Sequence, residues 1–584
     1  MDNQQVAQVL TGIGTYLELK GENPFKTRAY QNAARIIETL HEPIANVAAE
    51  DRLREIDGIG EAIALKIAEL VRTGRLEYFE KLKESVPAGL LEMLEIPGLG
   101  PKKITVLHQQ LGVDSVEKLE RACKDGSVAA LDRFGEKTQA RILEGIERRR
   151  SYATRHLLSE AWLVGQELLD SLRLHPDVLR CSTAGSLRRC REVIGDVDLL
   201  ASSQRPNEVL EYFVTLPEVK SVLARGDTKA SVVLKDGLQA DLRVVSDTEF
   251  ASALMYFTGS KDHNIVMRQR AIERGLRLNE YGLFRSAEET RDPKLRIECR
   301  TEEDIFRELG LNEIPAELRE NSGEFDLAEK EPLPRLVEWS DLRGSLHNHS
   351  TWSDGRQAPE QIARAMSELG LSYWAVTDHS RSSVQANGLT PERVRQQIRE
   401  VAAINRRLAD EGLVFRLLTG CEVDILAGGK LDFPDDLLAE LDVVVASIHR
   451  RLAETEAETT RRLIRAAENP NVHMLGHLTG RLLLEREPYP VDIPAVIEAC
   501  AATGTWIELN ATPERLDMDW RWWPRAAERG VKCVINCDAH RFEHAGYLRL
   551  GAGIARKGRL QKSDVINTLP LEKLNPALQS KRCR

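Results

Sequence analysis

Nowhere in its 584 residues does this chain offer an apolar stretch close to the roughly 18 residues that a membrane-spanning helix needs, which excludes a helical integral membrane protein. Its opening segment, MDNQQVAQVLTGIG, lacks both the basic end and the apolar run of a secretory signal, so a cytoplasmic setting is expected. Regularly spaced cysteines are missing too; the nine present follow no pattern and are expected to be reduced thiols. An excess of positive charge is absent: the net charge is −10, and even residues 1–150 hold 22 Lys and Arg against 24 Asp and Glu. Indiscriminate attraction to polyanions is thereby excluded, and a nucleic-acid partner has to be argued from motifs. With 42% hydrophobic residues, a chain of this length is predicted to form several domains, each burying its own core.

What is present from residue 341 onward is a rhythm. Seven apolar, β-rich runs end in or close to a potential metal ligand: GSLHNHS, LSYWAVTDHS, FRLLTGCE, DVVVASIH, VHMLGH, TWIELN and KCVINCDAH. They offer His347, His349, Asp354, His379, Glu422, His449, His477, Asp538 and His540. Stretches with helical periodicity, such as APEQIARAMSELG and LTPERVRQQIREVAAINRRLADEG, lie between them, and alternating strand and helix predicts a parallel, barrel-like sheet. In such barrels chemistry sits at the carboxyl ends of the strands. His-x-His on a strand sends both imidazoles to one face, and Asp538 with His540 repeats the arrangement at the last run. Nine donors are too many for one ion, so two or three cations are expected. Mixed imidazole and carboxylate donors suit Zn²⁺, Mn²⁺ or Fe²⁺. Clustered dications acidify a bound water and clamp the oxygens of a phosphoester, which makes phosphoester hydrolysis the natural reaction. His473 and His544 match no part of the pattern and are expected to be surface or packing residues. The segments HNHSTWSDG, TDHS, GCE, SIH, GHLTGR and CDAH resemble the successive motifs of the polymerase and histidinol phosphatase (PHP) domain, over roughly residues 341 to 570. The resemblance implies a distorted (β/α)7 barrel in which all nine donors hold three ions, Mn²⁺ and/or Zn²⁺.

Residues 1–150 carry glycine hairpins at IDGIGEAIALKIAEL (56–70), IPGLGPKKITVLHQQLG (96–112) and DRFGEKTQARILEGI (132–146). Glycine allows the tight turn and lets main-chain N–H groups approach a phosphate, while the following helix presents its positive dipole end. Binding of that kind is independent of base sequence. Gly58, Gly60, Gly98 and Gly100 carry the repeated pattern, which resembles helix-hairpin-helix DNA-binding motifs. The setting of Lys66 resembles the lyase domain of DNA polymerase beta, which makes Lys66 the candidate Schiff-base nucleophile toward an abasic-site sugar, against the alternative of a solvated helix lysine. Ala62 stands where that family has a second lysine, a departure that counts against efficient lyase chemistry.

Residues 185–203, GSLRRCREVIGDVDLLASS, hold a second constellation. Asp196 and Asp198 leave one face of a predicted strand, and Asp241 stands in the strand-like LQADLRVV. Three such carboxylates can hold two Mg²⁺, one activating a primer 3′ hydroxyl and one following a triphosphate. Gly185 and Ser186 form a turn suited to phosphate, and Arg188, Arg189 and Arg191 supply neutralising charge. The Gly-Ser and Asp-x-Asp spacing resembles the nucleotidyltransferase superfamily; YFTGSKDHNIVMRQRA (256–271) and LGLNEIPAELRE (309–320) narrow the resemblance to family X DNA polymerases. It implies triphosphate contacts from Gly185, Ser186, Arg189 and Gly195, a sugar gate of Tyr256, Phe257 and Gly259, a base contact from Asn264, and a template-side contact from Arg268.

The expected organisation is a multidomain α+β chain: a helical lyase-like helix-hairpin-helix domain at 1–80, helix-hairpin-helix fingers at 81–150, a nucleotidyltransferase palm with mixed sheet at 151–245, a thumb at 246–320, a linker at 321–340 and the PHP barrel at 341–584. The resemblance implies a monomeric DNA repair enzyme of the bacterial cytosol that fills short gaps with dNTPs on gapped, nicked or 3′-end structures. A 3′-5′ exonuclease in the barrel is implied with it, and abasic-site endonuclease or 3′-phosphatase activity is a further option. Two alternatives stand beside this: a barrel acting on a small phosphomonoester, and a polymerase half that serves only as a DNA-binding tether.

Overall fold

The computed structural model describes all residues except 2, 39, 41, 97, 153, 287, 331–333, 583 and 584. Pro97 of the second glycine hairpin and Glu331 to Leu333 of the expected linker thus lie outside the described residues. The chain divides into two compact units, Met1–Thr154 and Arg155–Arg584. No helix among the described residues is long and apolar enough to cross a membrane.

The first unit is helical throughout. Its two hairpin glycines Gly58 and Gly98 adopt φ of +86° and +85°, the left-handed region that glycine enters without steric cost. Gly60 and Gly100 then cap the helices Glu61–Thr73 and Pro101–Leu111. Two apolar cores hold the hairpins in place, one around Leu10, Ile37, Ile63 and Ile67, the other around Met93, Ile104, Leu107 and Ile142.

The second unit begins with a five-stranded mixed sheet. Arg180–Thr183, Asp196–Ser202, Gln239–Val245, Lys229–Leu234 and Val219–Arg225 lie side by side in that order. The pair Asp196–Ser202 and Gln239–Val245 is parallel, with Asp198 directly opposite Asp241. This registration brings carboxylates separated by 43 positions in the sequence onto neighbouring points of one sheet face, because side chains repeat every second residue.

Seven parallel strands follow, paired strictly in chain order: Gly344–Ser345, Tyr373–Val376, Arg416–Asp424, Val443–Ser447, Met474–Leu475, Trp506–Asn510 and Cys533–Asn536. The sheet nearly closes, since Asn348 bridges Ala539 and the His349 N–H donates to the Ala539 carbonyl at 2.8 Å. Alternation explains the barrel. Trp374, Val376, Val444 and Ala446 share one apolar cluster, while the intervening Tyr373, Ala375, Val443 and Val445 share another with Leu574 and Leu578 of the final helix Leu571–Arg582. Each strand is therefore apolar on both faces, as parallel strands covered on both sides must be.

Residues 321–340 differ from the expected linker. Within them Glu324–Ala328 forms a short helix, Glu324 is fully buried against His263, and the Val337 N–H donates to the Leu560 carbonyl at 2.9 Å. Missing periodicity, acids and two Pro suggested a linker; burial of one acid in a hydrogen bond to His263, whose imidazole burial holds below its ordinary pKa, ties the segment down instead.

Candidate metal centre and nucleotide site

The barrel donors meet at the carboxyl ends of the strands. Glu422 is their hub: its carboxylate lies 2.9 Å from His379 Nδ1, 2.9 Å from His477 Nε2, 3.2 Å from His449 Nε2 and 3.4 Å from His347 Nε2. His349 Nε2 stands 3.0 Å from Asp538 Oδ1, and Asp354 sits within 3.6 Å of His379 and 3.5 Å of His540. Three overlapping groups emerge, each with ligand atoms within 4.8 Å of one another: His349, Asp354, His379 and His540; His347, His349 and Glu422; His379, Glu422 and His449. The fold brings together all nine donors named from the sequence. Of the two excluded histidines, His473 is buried and accepts from the Val444 N–H, whereas His544 stacks on Tyr547 and accepts from the His540 N–H at 3.3 Å.

Two residues of this centre escaped sequence reasoning. Glu508, in the TWIELN run that contributed no donor, accepts from His347 Nδ1 at 2.7 Å and from the His477 N–H at 2.6 Å. Asp424, two residues beyond Glu422 on the same strand, is 2.6 Å from His449 Nδ1. Carboxylates that hold one imidazole nitrogen fix the tautomer and leave the other nitrogen to a metal. His347 fits that arrangement, for its buried Nε2 has no hydrogen-bond partner. The donor set of imidazoles and carboxylates, without thiolate, therefore fits divalent cations.

The electrostatics agree. Burial pulls the His449 imidazole down, but Glu422 and Asp424 outweigh it and push it up to about 10. His540 is raised to about 9 against burial by Asp354 and Asp538. Burial alone would raise Glu422, yet the surrounding imidazoles hold it well below the usual carboxylate range. Without cations the cluster neutralises its acids with protons on histidine; dications can replace them. Strain marks the same loops, where the candidate donors His477 and Asp538 adopt φ of +24° and +47°, values that non-glycine residues hold only when the surroundings impose them.

The second site lies on the mixed sheet. Asp196, Asp198 and Asp241 present ligand atoms within 4.8 Å of one another. Burial, with repulsion from Asp196 and Asp241, pushes the Asp198 carboxyl up to about 7, and Asp196 is raised by burial and Asp241. Asp241 moves the other way: burial would raise it, but Lys229, 2.6 Å distant, holds it down. Lys229 was not named from the sequence. Gly185 adopts φ of +57°, and a Cβ there would overlap the Asp198 carboxylate. Gly185 and Ser186 open the short helix Gly185–Arg188, while Gly195 is exposed at the start of the Asp196–Ser202 strand with open space beside it.

The expected nucleotide contacts cluster on adjoining helices. Tyr256 and Phe257 end the helix Phe250–Thr258, edge to face at 5.2 Å, with Phe257 beneath the Arg243 guanidinium. Gly259 follows in the left-handed region, Asn264 donates to the Tyr256 carbonyl at 2.7 Å, and Arg268 is exposed on the helix Lys261–Glu273. Arg189 is not free: it donates to the Thr258 carbonyl and lies 3.2 Å from Glu320. Arg188 is committed elsewhere, to Thr258 and to the buried Glu302, which also binds Arg319.

Among the described residues, and apart from the chain neighbours, no atom lies within 4 Å of where a Cβ would stand on Gly60, Gly98 or Gly100, so these turns are open on that side; at Gly58 a Cβ would meet Ile36. Lys66 rests its ammonium 4.8 Å above the Tyr78 ring and donates to the Ala62 carbonyl.

A relative from Bacillus subtilis (strain 168), named DNA polymerase/3′-5′ exonuclease PolX, is 38% identical over 581 residues, which cover 99% of this chain and 100% of that one. The chain belongs to the PolX family. Four family models match parts of the chain in keeping with this membership: a helix-hairpin-helix domain at residues 1–76, a SAM-like helix-hairpin-helix tandem at 90–148, the DNA polymerase beta thumb at 253–320 and the PHP domain at 345–510. DNA polymerase lambda of Rattus norvegicus is 26% identical over 337 residues, 53% of this chain and 55% of that one. A Clostridium acetobutylicum protein named as a probable phosphatase is 34% identical over 133 residues, 21% of this chain and 52% of that one.

Proposed function

We propose that this PolX-family chain is a DNA repair polymerase that fills short gaps from dNTPs, and that its barrel trims 3′ ends by metal-dependent 3′-5′ hydrolysis. The observation that carries this reading is the presence, in one chain, of two separate donor clusters: three carboxylates on a mixed sheet and nine imidazole and carboxylate donors in a barrel. Divalent cations bound by the three aspartates would activate the primer hydroxyl and neutralise the triphosphate. Mg²⁺ is the ion we assign there, and Mn²⁺ or Zn²⁺, as three ions, the set we assign to the barrel. Arg189 and Ser186 would meet the phosphates, Tyr256, Phe257 and Gly259 the sugar, Gly195 the adjoining turn, Asn264 the base edge and Arg268 the template side. The hairpins at Gly58, Gly60, Gly98 and Gly100 would hold the DNA backbone by main-chain N–H groups, as suits a domain without excess positive charge. Lys66 is the residue we assign to an abasic-site lyase step, which borohydride trapping of the Schiff base with and without Lys66→Ala tests. We take the functional form to be a monomer, checked by sedimentation.

One experiment tests the division of labour. On a gapped duplex with dNTPs, Asp198→Ala is expected to abolish incorporation and spare removal of 3′ nucleotides, and His347→Ala to do the reverse. Loss of both activities in either folded variant counts against two separate sites. Because two relatives are named as probable phosphatases, a small phosphate monoester is assayed alongside; turnover of it in preference to the oligonucleotide would overturn the assignment of the barrel to DNA.

A further inference from the structure

The barrel reaches the nucleotide site through the Lys557 side chain. Lys557 ends the helix Tyr547–Lys557, which packs beneath the turn that follows Gly185–Arg188 closely enough that a Cβ on Gly553 would lie 3.2 Å from Cys190 Sγ. Its ammonium is fully buried and has three acceptors: the Arg189 carbonyl at 2.9 Å, the Glu317 carbonyl at 3.1 Å and Glu320 Oε1 at 2.8 Å. An ammonium has three N–H donors, so each is satisfied. Glu320 Oε1 in turn lies 3.2 Å from Arg189 Nε, and its other oxygen 3.6 Å from Arg191. The Arg189 guanidinium also donates to the carbonyl of Thr258, the residue just before Gly259.

Lys557 thus grips Arg189 at both ends, directly at its carbonyl and through Glu320 at its guanidinium. Burial alone would raise the Glu320 carboxyl, but Lys557, Arg189 and Arg191 hold it below the ordinary range, so it stays an anion. A buried ion pair of this kind contributes little net stability over an apolar replacement, and its best-attested use is to fix one arrangement.

We propose that Lys557 and Glu320 are positioning residues for nucleotidyl transfer, through which the hydrolase barrel sets the aim of Arg189 on the triphosphate of the incoming nucleotide. This rests on the reading of Arg189 as a triphosphate contact. A guanidinium held between Glu320 and the Thr258 carbonyl keeps one conformation, so its side-chain entropy is lost on folding rather than on binding nucleotide. The barrel is in this sense part of the polymerase site, apart from any hydrolysis of its own.

The test uses the full-length chain, with KM for dNTP and kcat measured on a one-nucleotide gap and 3′ hydrolysis measured on a single-stranded oligonucleotide. Lys557→Met and Glu320→Gln are each expected to raise KM roughly ten-fold, the scale of one hydrogen bond to a charged group, with kcat and hydrolysis changed by less than about three-fold. Their double variant should be no worse than the poorer single variant, as for residues acting through one another. Arg189→Ala is the control: if it leaves KM unchanged, the triphosphate reading itself fails. If Arg189→Ala raises KM while Lys557→Met and Glu320→Gln do not, the positioning role is overturned and the triphosphate reading stands. A parallel fall of kcat and hydrolysis in Lys557→Met would mark a merely structural contact and also overturn it. Should Lys557→Met fail to fold, the near-isosteric Glu320→Gln decides by the same KM and kcat readout.

Discussion

Gly185 shows how narrowly a single residue is constrained here. Its φ of +57° strains any other residue, and a methyl group would displace the Asp198 carboxylate. Gly185→Ala is expected to cut nucleotide incorporation by roughly a hundred-fold, the cost of moving a reacting group by about an ångström, while leaving 3′ hydrolysis intact; unchanged incorporation in primer extension would refute the placement. In the barrel the comparable residue is Glu508. It touches no open ligand position but holds His347 Nδ1 and the His477 N–H. Glu508→Gln keeps the shape and loses the charge, so metal affinity measured by competition with a chelator should fall about ten- to a hundred-fold. Equal affinity in variant and parent would remove Glu508 from the centre.

At the scale of elements, the helix Glu302–Glu308 is tied to its surroundings by its first residue. Glu302 lies between Arg188 and Arg319, 2.6 Å from the former. Burial would raise its carboxyl, but the two guanidinium groups bring it down to about 2 from an ordinary 4.5. A carboxyl lowered on folding contributes stability that is present above the unfolded value and lost as pH falls toward the folded one. The unfolding free energy of the parent, read from urea denaturation, should therefore exceed that of Glu302→Gln at neutral pH by about 3 kcal/mol, the cost of a broken buried pair. The gap should close between pH 4.5 and about 2. A gap independent of pH would contradict the assignment. The hairpin helices and the seven barrel strands were legible in the sequence because glycine spacing and alternation are local signals. The segment 321–340 was not, since nothing in EFDLAEKE announces that Glu324 will be buried against a histidine 61 positions earlier.

For the whole molecule, the split at Thr154 carries a prediction of its own. Residues 155–584 contain both donor clusters and their own apolar cores, and residues 1–154 hold the open glycine turns. The fragment 155–584 is expected to fold and to retain 3′ hydrolysis, but to bind gapped duplex more weakly than the full chain in a filter or anisotropy assay. Equal affinity of fragment and full chain would remove DNA binding from the hairpins.

The sequence by itself determined that imidazoles and carboxylates stand at the strand ends, because residues two apart on a strand share a face, and that the barrel strands pair in parallel, because strands alternate with helices there. It determined the helical, hairpin-bearing first part for the same local reasons. Only the tertiary structure decided that Glu422 is the hub of the centre, that Glu508 and Asp424 hold imidazoles, that Lys229 neutralises Asp241, and that Lys557 of the barrel grips Arg189. Each of these is an ordinary acid or lysine in its own stretch of chain. What distinguishes them is a partner brought within hydrogen-bond distance by strand pairing and packing: across neighbouring strands of the mixed sheet for Lys229 and Asp241, around the closing barrel for Glu422, Glu508 and Asp424, and between barrel and mixed-sheet region for Lys557 and Arg189.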